Sequence, residues 1–323
     1  SNRSLRLRTD MKILIVSGFL GAGKTTFIRR LSRNIGKRFV ILENEYGAAG
    51  IDGARLGKDV AEEGNIWEMT EQCICCSGKK DFASSVLTIA NAVDPECLIV
   101  EPTGVGRLSK IIENLKQIEY ERIRLLSPVT IVDIYSFGRY LEEYPELYKD
   151  QIASAGTVIV SKTEQSGVEE KERIRKFIEK INPSAQIITD PYASMAREEF
   201  ENFLKEEWGG GKIQKAETEE KLPDVFSLET VSMETPEKLL CFLEDMVHGK
   251  YGNIIRAKGQ LQAGSDFLRF DVADSRYSVT GAEEKTAGKA VFIGELIKRE
   301  DIEENFKKEA RGRKMKYMAR KAP

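Results

Sequence analysis

The chain has 323 residues, 41% hydrophobic and 32% charged, with a formal net charge of −2. That length suits about two globular domains, and the near-neutral balance excludes a global electrostatic pull toward nucleic acid or acidic membranes. No apolar run approaches the roughly 20 residues that cross a bilayer, residues 1–10 lack the apolar segment of a secretory signal, and five cysteines with three of them clustered are not a disulfide framework, so a reducing cytoplasm is the expected setting.

In chain order, MKILIVSG (11–18) is a nearly continuous apolar run ending in glycine, and it reads as a buried parallel strand with Met11 as a natural start. The helix after it carries Phe27, Ile28 and Leu31 at helical spacing. RFVILEN (38–44), CLIVEPTG (97–104), SPVTIVDI (127–134), GTVIVSKTE (156–164) and AQIITD (185–190) read as further strands, separated by amphipathic stretches such as KDFASSVLTIANAV and VEEKERIRKFIEKI. Strands alternating with helices predict an α/β domain with a mostly parallel sheet covered on both faces. EEWGGGKIQKAETEEKLP (206–223) is Gly-rich, charged and poor in apolar residues, and reads as a linker. Beyond it, DVFSLETVSM, the helix TPEKLLCFLEDMVHG, four short strand-like runs and a last helix predict a smaller α+β unit with an antiparallel sheet. The expected division is 11–205, a linker at 206–223, and 224–323. The basic tail KKEARGRKMKYMARK reads as a solvated helix end.

The first strand opens onto chemistry. GFLGAGKTT (18–26) fits G-x-x-x-x-G-K-[ST] through Gly18, Gly23, Lys24 and Thr25, between a predicted strand and a predicted helix, so the domain reads as a P-loop NTPase. With Gly21, Ala22 and Thr26 these residues form the candidate phosphate-binding loop, whose backbone N–H groups and helix N-terminus favour anionic oxygens. Lys24 is expected to reach the β- and γ-phosphates, and Thr25 to ligate Mg²⁺. Glu101, at the end of the third strand, can hold the Mg²⁺ shell through water. Gly104 can then offer its N–H to the γ-phosphate, which makes 101–107 a segment that senses hydrolysis. After the fifth strand, Ser161, Lys162 and Glu164 stand where GTPases commonly carry N-K-x-D. A Glu carboxylate accepts from guanine N1–H and N2–H₂ and mismatches adenine, which favours GTP.

GFLGAGKTT, ENEYGAAGID, CICC, EPTG, DQIASAGTVIVSKTE and KAVFIG together resemble the CobW-type members of a P-loop GTPase family that also includes the urease and hydrogenase nickel-maturation GTPases. The resemblance covers about 11–300. It implies a GTPase domain followed by a smaller domain, slow GTP hydrolysis, and GTP-linked delivery of a transition metal to a client metalloprotein. No nucleic-acid or membrane partner is implied, and a homodimer is compatible with it. The C-x-C-C run Cys73, Cys75 and Cys76 brings soft thiolates within reach of one ion, which suits Zn²⁺ or another transition metal such as Co²⁺ or Ni²⁺. Nucleotide binding is expected to order 44–52 and 101–107 and so to alter the geometry of the thiols. The chain departs from the family pattern at Gln72, where relatives often have Gly, and at Ala48, where an acid is common; Glu43 and Glu45 remain as candidate oxygen ligands. Cys97 and Cys241 read as core residues, and His248 as a helix-end histidine. The alternative is a nucleotide-gated activator or assembly factor of a corrinoid or other metalloenzyme, with no metal transfer of its own.

Overall fold

The computed structural model describes residues 10–43, 64–68, 79–120, 122–209, 222–282 and 287–308. They belong to two compact units, 1–223 and 224–323.

The first unit is built on strands β1 (Met11–Gly18), β2 (Phe39–Glu43), β3 (Gly64–Glu68), β4 (Cys97–Glu101), β5 (Ile123–Leu125), β6 (Val129–Asp133), β7 (Thr157–Ser161) and β8 (Gln186–Ile188). They lie in the order β3-β2-β4-β1-β6-β7-β8, with β5 beside the start of β1. Every pairing is parallel. Helices α1 (Lys24–Asn34), α2 (Lys79–Ala92), α3 (Leu108–Lys116), α4 (Phe137–Glu143), α5 (Pro145–Ala153), α6 (Val168–Ile181) and α7 (Arg197–Asn202) connect and flank the strands. The β-branched runs of β1, β2, β4, β6 and β7 are buried along nearly their whole length, as strands covered on both faces require. Phe27, Ile28 and Leu31 of α1 are fully buried against β1 and β4 together with Phe200, Phe203 and Leu204. Because the strands run the same way, Gly18, Glu43, Glu101, Asp133 and Ser161 all end at one edge of the sheet, where open α/β sheets bind ligands.

Two expectations on strand extent shift. β4 and β7 stop at Glu101 and Ser161, short of 104 and 164, because Pro102 follows one and Lys162 follows the other with a left-handed φ of 60°. β3 and β5 were not expected. GNIWE and IRL are too short to show a period, and each forms because a neighbouring strand supplies a partner. At the other end of the unit, the Glu206 carbonyl accepts from the Ser127 N–H (2.8 Å) and the Trp208 N–H donates to the Leu125 carbonyl (3.0 Å), so 206–208 are tied to the end of β5 and the residues just after it.

The second unit contains β9 (Asp224–Glu229), β10 (Val231–Met233), α8 (Pro236–Val247), β11 (Asn253–Ala263), β12 (Asp266–Ala273), β13 (Arg276–Gly281), β14 (Lys289–Glu295), α9 (Arg299–Glu303) and β15 (Lys307–Lys308). Strands β13, β12, β11, β14 and β9 form an antiparallel run, and β10 continues beside the end of β11. Thr235 caps α8 by accepting the Lys238 N–H, with Pro236 at the first helical position. At the other end His248 Nδ1 lies 2.8 Å from the Glu244 carbonyl, a helix-end histidine. Leu239, Phe242, Leu243 and Met246 follow helical spacing onto a core that includes Phe270, Phe292 and Phe306. Cys241 does not share that core, contrary to expectation. It is exposed with Leu240, because the apolar run is longer than the buried stripe and the helix can turn only one face inward. Cys97 is a core residue, and burial pushes its thiol up to about 12, so it stays protonated and inert. Among the described residues no helix is long and apolar enough to cross a membrane.

Candidate nucleotide-binding site

The loop between β1 and α1 begins at Gly18. Its φ is 143°, and a Cβ there would lie 2.3 Å from the Ile131 carbonyl oxygen, so only glycine lets β1 turn against β6. Phe19 then anchors the loop in a pocket of tyrosines, with ring centroids 4.2 Å from Tyr140, 5.4 Å from Tyr144 and 6.1 Å from Tyr148. Gly21, Ala22 and Gly23 complete the turn into α1, which starts at Lys24. The Lys24 ammonium folds back over the loop, donating to Gly18 O (3.1 Å) and Phe19 O (3.3 Å). Thr25 and Thr26 occupy the first turn of α1, Thr26 exposed.

Thr25 Oγ1 donates to Glu101 Oε1 at 2.9 Å. This bond joins α1, the helix opened by the loop, to the end of β4 across 76 residues of chain, a contact that the sequence does not reveal. Glu101 and Glu43 are both buried, and they are direct neighbours across β4 and β2; Glu43 in turn pairs in register with Glu68 of β3. Three strand ends therefore carry glutamate in one row, a feature missed because β3 was missed. Gly104 lies against the phosphate loop so closely that a Cβ would sit 2.7 Å from Leu20 N. Cys73, Cys75 and Cys76 lie outside the described residues, as do Gln72, Glu45 and Ala48, the rest of 44–52 and most of the basic tail. Among the described residues no group of three or more His, Cys, Asp or Glu side chains is arranged to hold a metal ion.

At the other end of the cleft, Ser161 is buried, and its hydroxyl donates to the Ala22 carbonyl at 2.6 Å while lying 3.2 Å from Val132 O. The side chain expected beside the base is thus directed at the phosphate loop. Lys162 Nζ is 2.5 Å from Oδ2 of Asp133, a buried carboxylate whose Oδ1 accepts the Tyr135 N–H at 2.9 Å. Glu164 is exposed on the same loop. Tyr192, in a short 3₁₀ turn after β8, packs edge-on against Phe27 with centroids 5.7 Å apart. Its hydroxyl lies 3.5 Å from where a Gly23 Cβ would stand. Burial, and secondarily the Glu164 charge, pushes the Tyr192 phenol up. Asp133 and Tyr192 escaped the sequence reading. For Asp133 a signal existed: it ends an apolar strand with a carboxylate, as Glu101 does.

Two family models match the two units in turn. Residues 12–189 match the family described as CobW/HypB/UreG, nucleotide-binding domain, and 225–310 match the cobalamin synthesis protein cobW C-terminal domain. The zinc chaperone CobW of a Sinorhizobium species is 31% identical over 178 residues, 46% of this chain and 50% of that protein, so the chain spans about half of that relative's length. The zinc chaperone YjiA of Escherichia coli is 24% identical over 315 residues, covering 91% of this chain and 97% of YjiA. The crystal structure of Zn(II)-bound YjiA GTPase from E. coli superposes with a TM-score of 0.46 at 18% identity, over 92% of this chain and 98% of that one. With its P-loop sheet and its separate antiparallel unit, the chain belongs to the CobW/HypB/UreG family.

Proposed function

We propose that this chain is a GTP-hydrolysing metallochaperone that delivers a transition metal, Zn²⁺ in the first instance, to a client metalloprotein. The observation that carries the nucleotide half of this reading is the Thr25–Glu101 hydrogen bond beneath the phosphate loop. A hydroxyl and a carboxylate held together there are the hard oxygen donors Mg²⁺ takes, so the residues fit the ion. Thr25 would ligate it directly and Glu101 would hold its water shell; bound there, it would neutralise charge on the β- and γ-phosphates. Lys24 supplies the loop's own cation, and the N–H groups of Gly21 to Thr26 receive the phosphate oxygens. Gly104 is pressed on Leu20, and from there its N–H would serve the γ-phosphate. At the base, the Lys162 stem covers the ring plane, and Glu164 accepts the donors that guanine has and adenine lacks.

The metal half rests on family membership and on the names of the relatives, zinc chaperones among them. Cys73, Cys75 and Cys76 are the proposed soft ligands, with Glu43 as an oxygen ligand at the end of β2, beside the Glu101 that faces Thr25. That adjacency gives nucleotide and metal a physical route to one another. Thiolate ligation displaces protons, so metal affinity should rise with pH through the thiol range.

The test is a Zn²⁺ titration against a chromophoric chelator, in GDP and in a non-hydrolysable GTP analogue, on the wild type and on the triple Cys→Ala variant. One ion per chain, held more tightly with the analogue and lost in the variant, is the expected result. By linkage the metal must then tighten the analogue by the same factor. Equal affinity in both nucleotide states would favour the nucleotide-gated activator instead. Undiminished binding by the triple variant would place the metal elsewhere, and a preference for ATP would remove the guanine assignment.

A further inference from the structure

We infer that Gln151 is a positioning residue for the phosphate-sensing loop, and that it sets how much more tightly the site holds a nucleoside triphosphate than a diphosphate. The inference rests on the reading of 101–107 as the segment that meets the γ-phosphate.

Gln151 lies on α5 and is 1% exposed. Its carboxamide Nε2 donates to Gly104 O at 3.2 Å and to Gly106 O at 2.9 Å, so the two N–H groups of one amide are spent on two carbonyls of the same loop. The next residue back, Asp150, is also buried and accepts the Ser109 N–H at 3.2 Å, where α3 begins. Residues 104–109 are therefore clasped to α5 at both ends. On its opposite side the loop touches the phosphate loop, through Gly104 against Leu20.

A clasp matters only if its anchor is itself held, and α5 is tied to β6, to Asn182 and to the phosphate loop. Thr130 Oγ1 of β6 donates to the Gln151 carbonyl at 2.7 Å. Asn182 Nδ2 gathers the carbonyls at the end of the helix, with Ile152 and Ala155 both at 2.9 Å. Tyr148 of α5 packs on Phe19 of the phosphate loop. One helix thus registers the loop that carries Gly104 and the loop that holds the phosphates to each other. Carbonyls of a buried irregular segment have no ladder partner and need side-chain donors. Glutamine supplies two donors from one atom, which aspartate, glutamate or serine cannot. The plainer account is that Gln151 only satisfies these carbonyls and stabilises the fold, and that account makes a different prediction.

The experiment measures affinity of the full chain for GDP and for a non-hydrolysable GTP analogue, in wild type, in Gln151→Met, which keeps length without donors, and in Gln151→Asn, which keeps the amide but withdraws it. For Gln151→Met the analogue should weaken about fivefold or more, the lower end of measured coupling between sites, while GDP changes by less than about twofold. Gln151→Asn should lie between and serves if the Met variant fails to fold. Equal weakening of both nucleotides, or of neither, would overturn the inference and leave Gln151 structural. Failure of the underlying reading looks different: the wild type itself would bind the two nucleotides equally or not at all, and the inference would fall with it.

Discussion

At the proposed phosphate end of the site the surface offered is the chain's own backbone, from a loop that is contiguous from Gly18 to Thr26. At the proposed base end side chains from distant segments set the geometry: Lys162 reaches Asp133 and Tyr192 the edge of Gly23, while Ser161 ties this end to Ala22 of the loop. A backbone site tolerates almost no change in conformation, so the few distant residues that hold it, Glu101 and Gln151, act by fixing its shape. A braced site can swap its side chains, and Ser161 and Glu164 stand at the positions where an asparagine and an aspartate are more usual in GTPases.

That contrast predicts large effects at the phosphate end and graded ones at the base. The largest should come from Lys24→Ala, which removes the loop's own charge: GTP turnover should vanish in a phosphate-release assay, and triphosphate affinity should fall about 10- to 100-fold, as for lost charge-assisted bonds. Near-normal turnover would mean that hydrolysis occurs elsewhere. Gly18→Ala should act on folding rather than on chemistry. A methyl 2.3 Å from Ile131 O at a φ of 143° should cost about 2 kcal/mol or more, read as a lower midpoint in denaturant. Unchanged stability would show that β1 and β6 can part there at no cost.

At the base, Glu164→Ala should weaken GTP more than ATP by about 1.5–3 kcal/mol if both guanine donors lose a charged acceptor. Calorimetry giving equal losses would take Glu164 out of base recognition. The smallest effect sharpens the comparison most. In a double-mutant cycle on GDP affinity, Asp133→Ala and Lys162→Ala should couple by about 1 kcal/mol, because Asp133 acts through the ammonium it holds. Additive losses would make Asp133 a structural strand-end acid and leave the base end without this brace.

The phosphate loop could be read because its meaning is local. A strand, a glycine turn and a helix start are all written within one short segment, and the alternation of apolar runs with amphipathic stretches carries the parallel sheet in the same way. Short β3 and β5 were lost for the opposite reason, since they depend on a neighbour and show no period of their own. Cys241 was misplaced because an apolar run says that a helix packs but not how far it is rotated about its axis.

By itself, then, the sequence determined that a P-loop follows β1, that strands and helices alternate through the first unit, that an antiparallel α+β unit follows, and that three cysteines fall within four positions of the chain. Only the tertiary structure decided what faces what. Thr25 meets Glu101 across 76 residues of chain, Gln151 meets Gly104 across 47, and Ser161 meets Ala22 across 139. Such pairs carry no local signature, because strand order and the single direction of the strands bring them to one edge of the sheet, and a side chain's role there is set by what arrives opposite it.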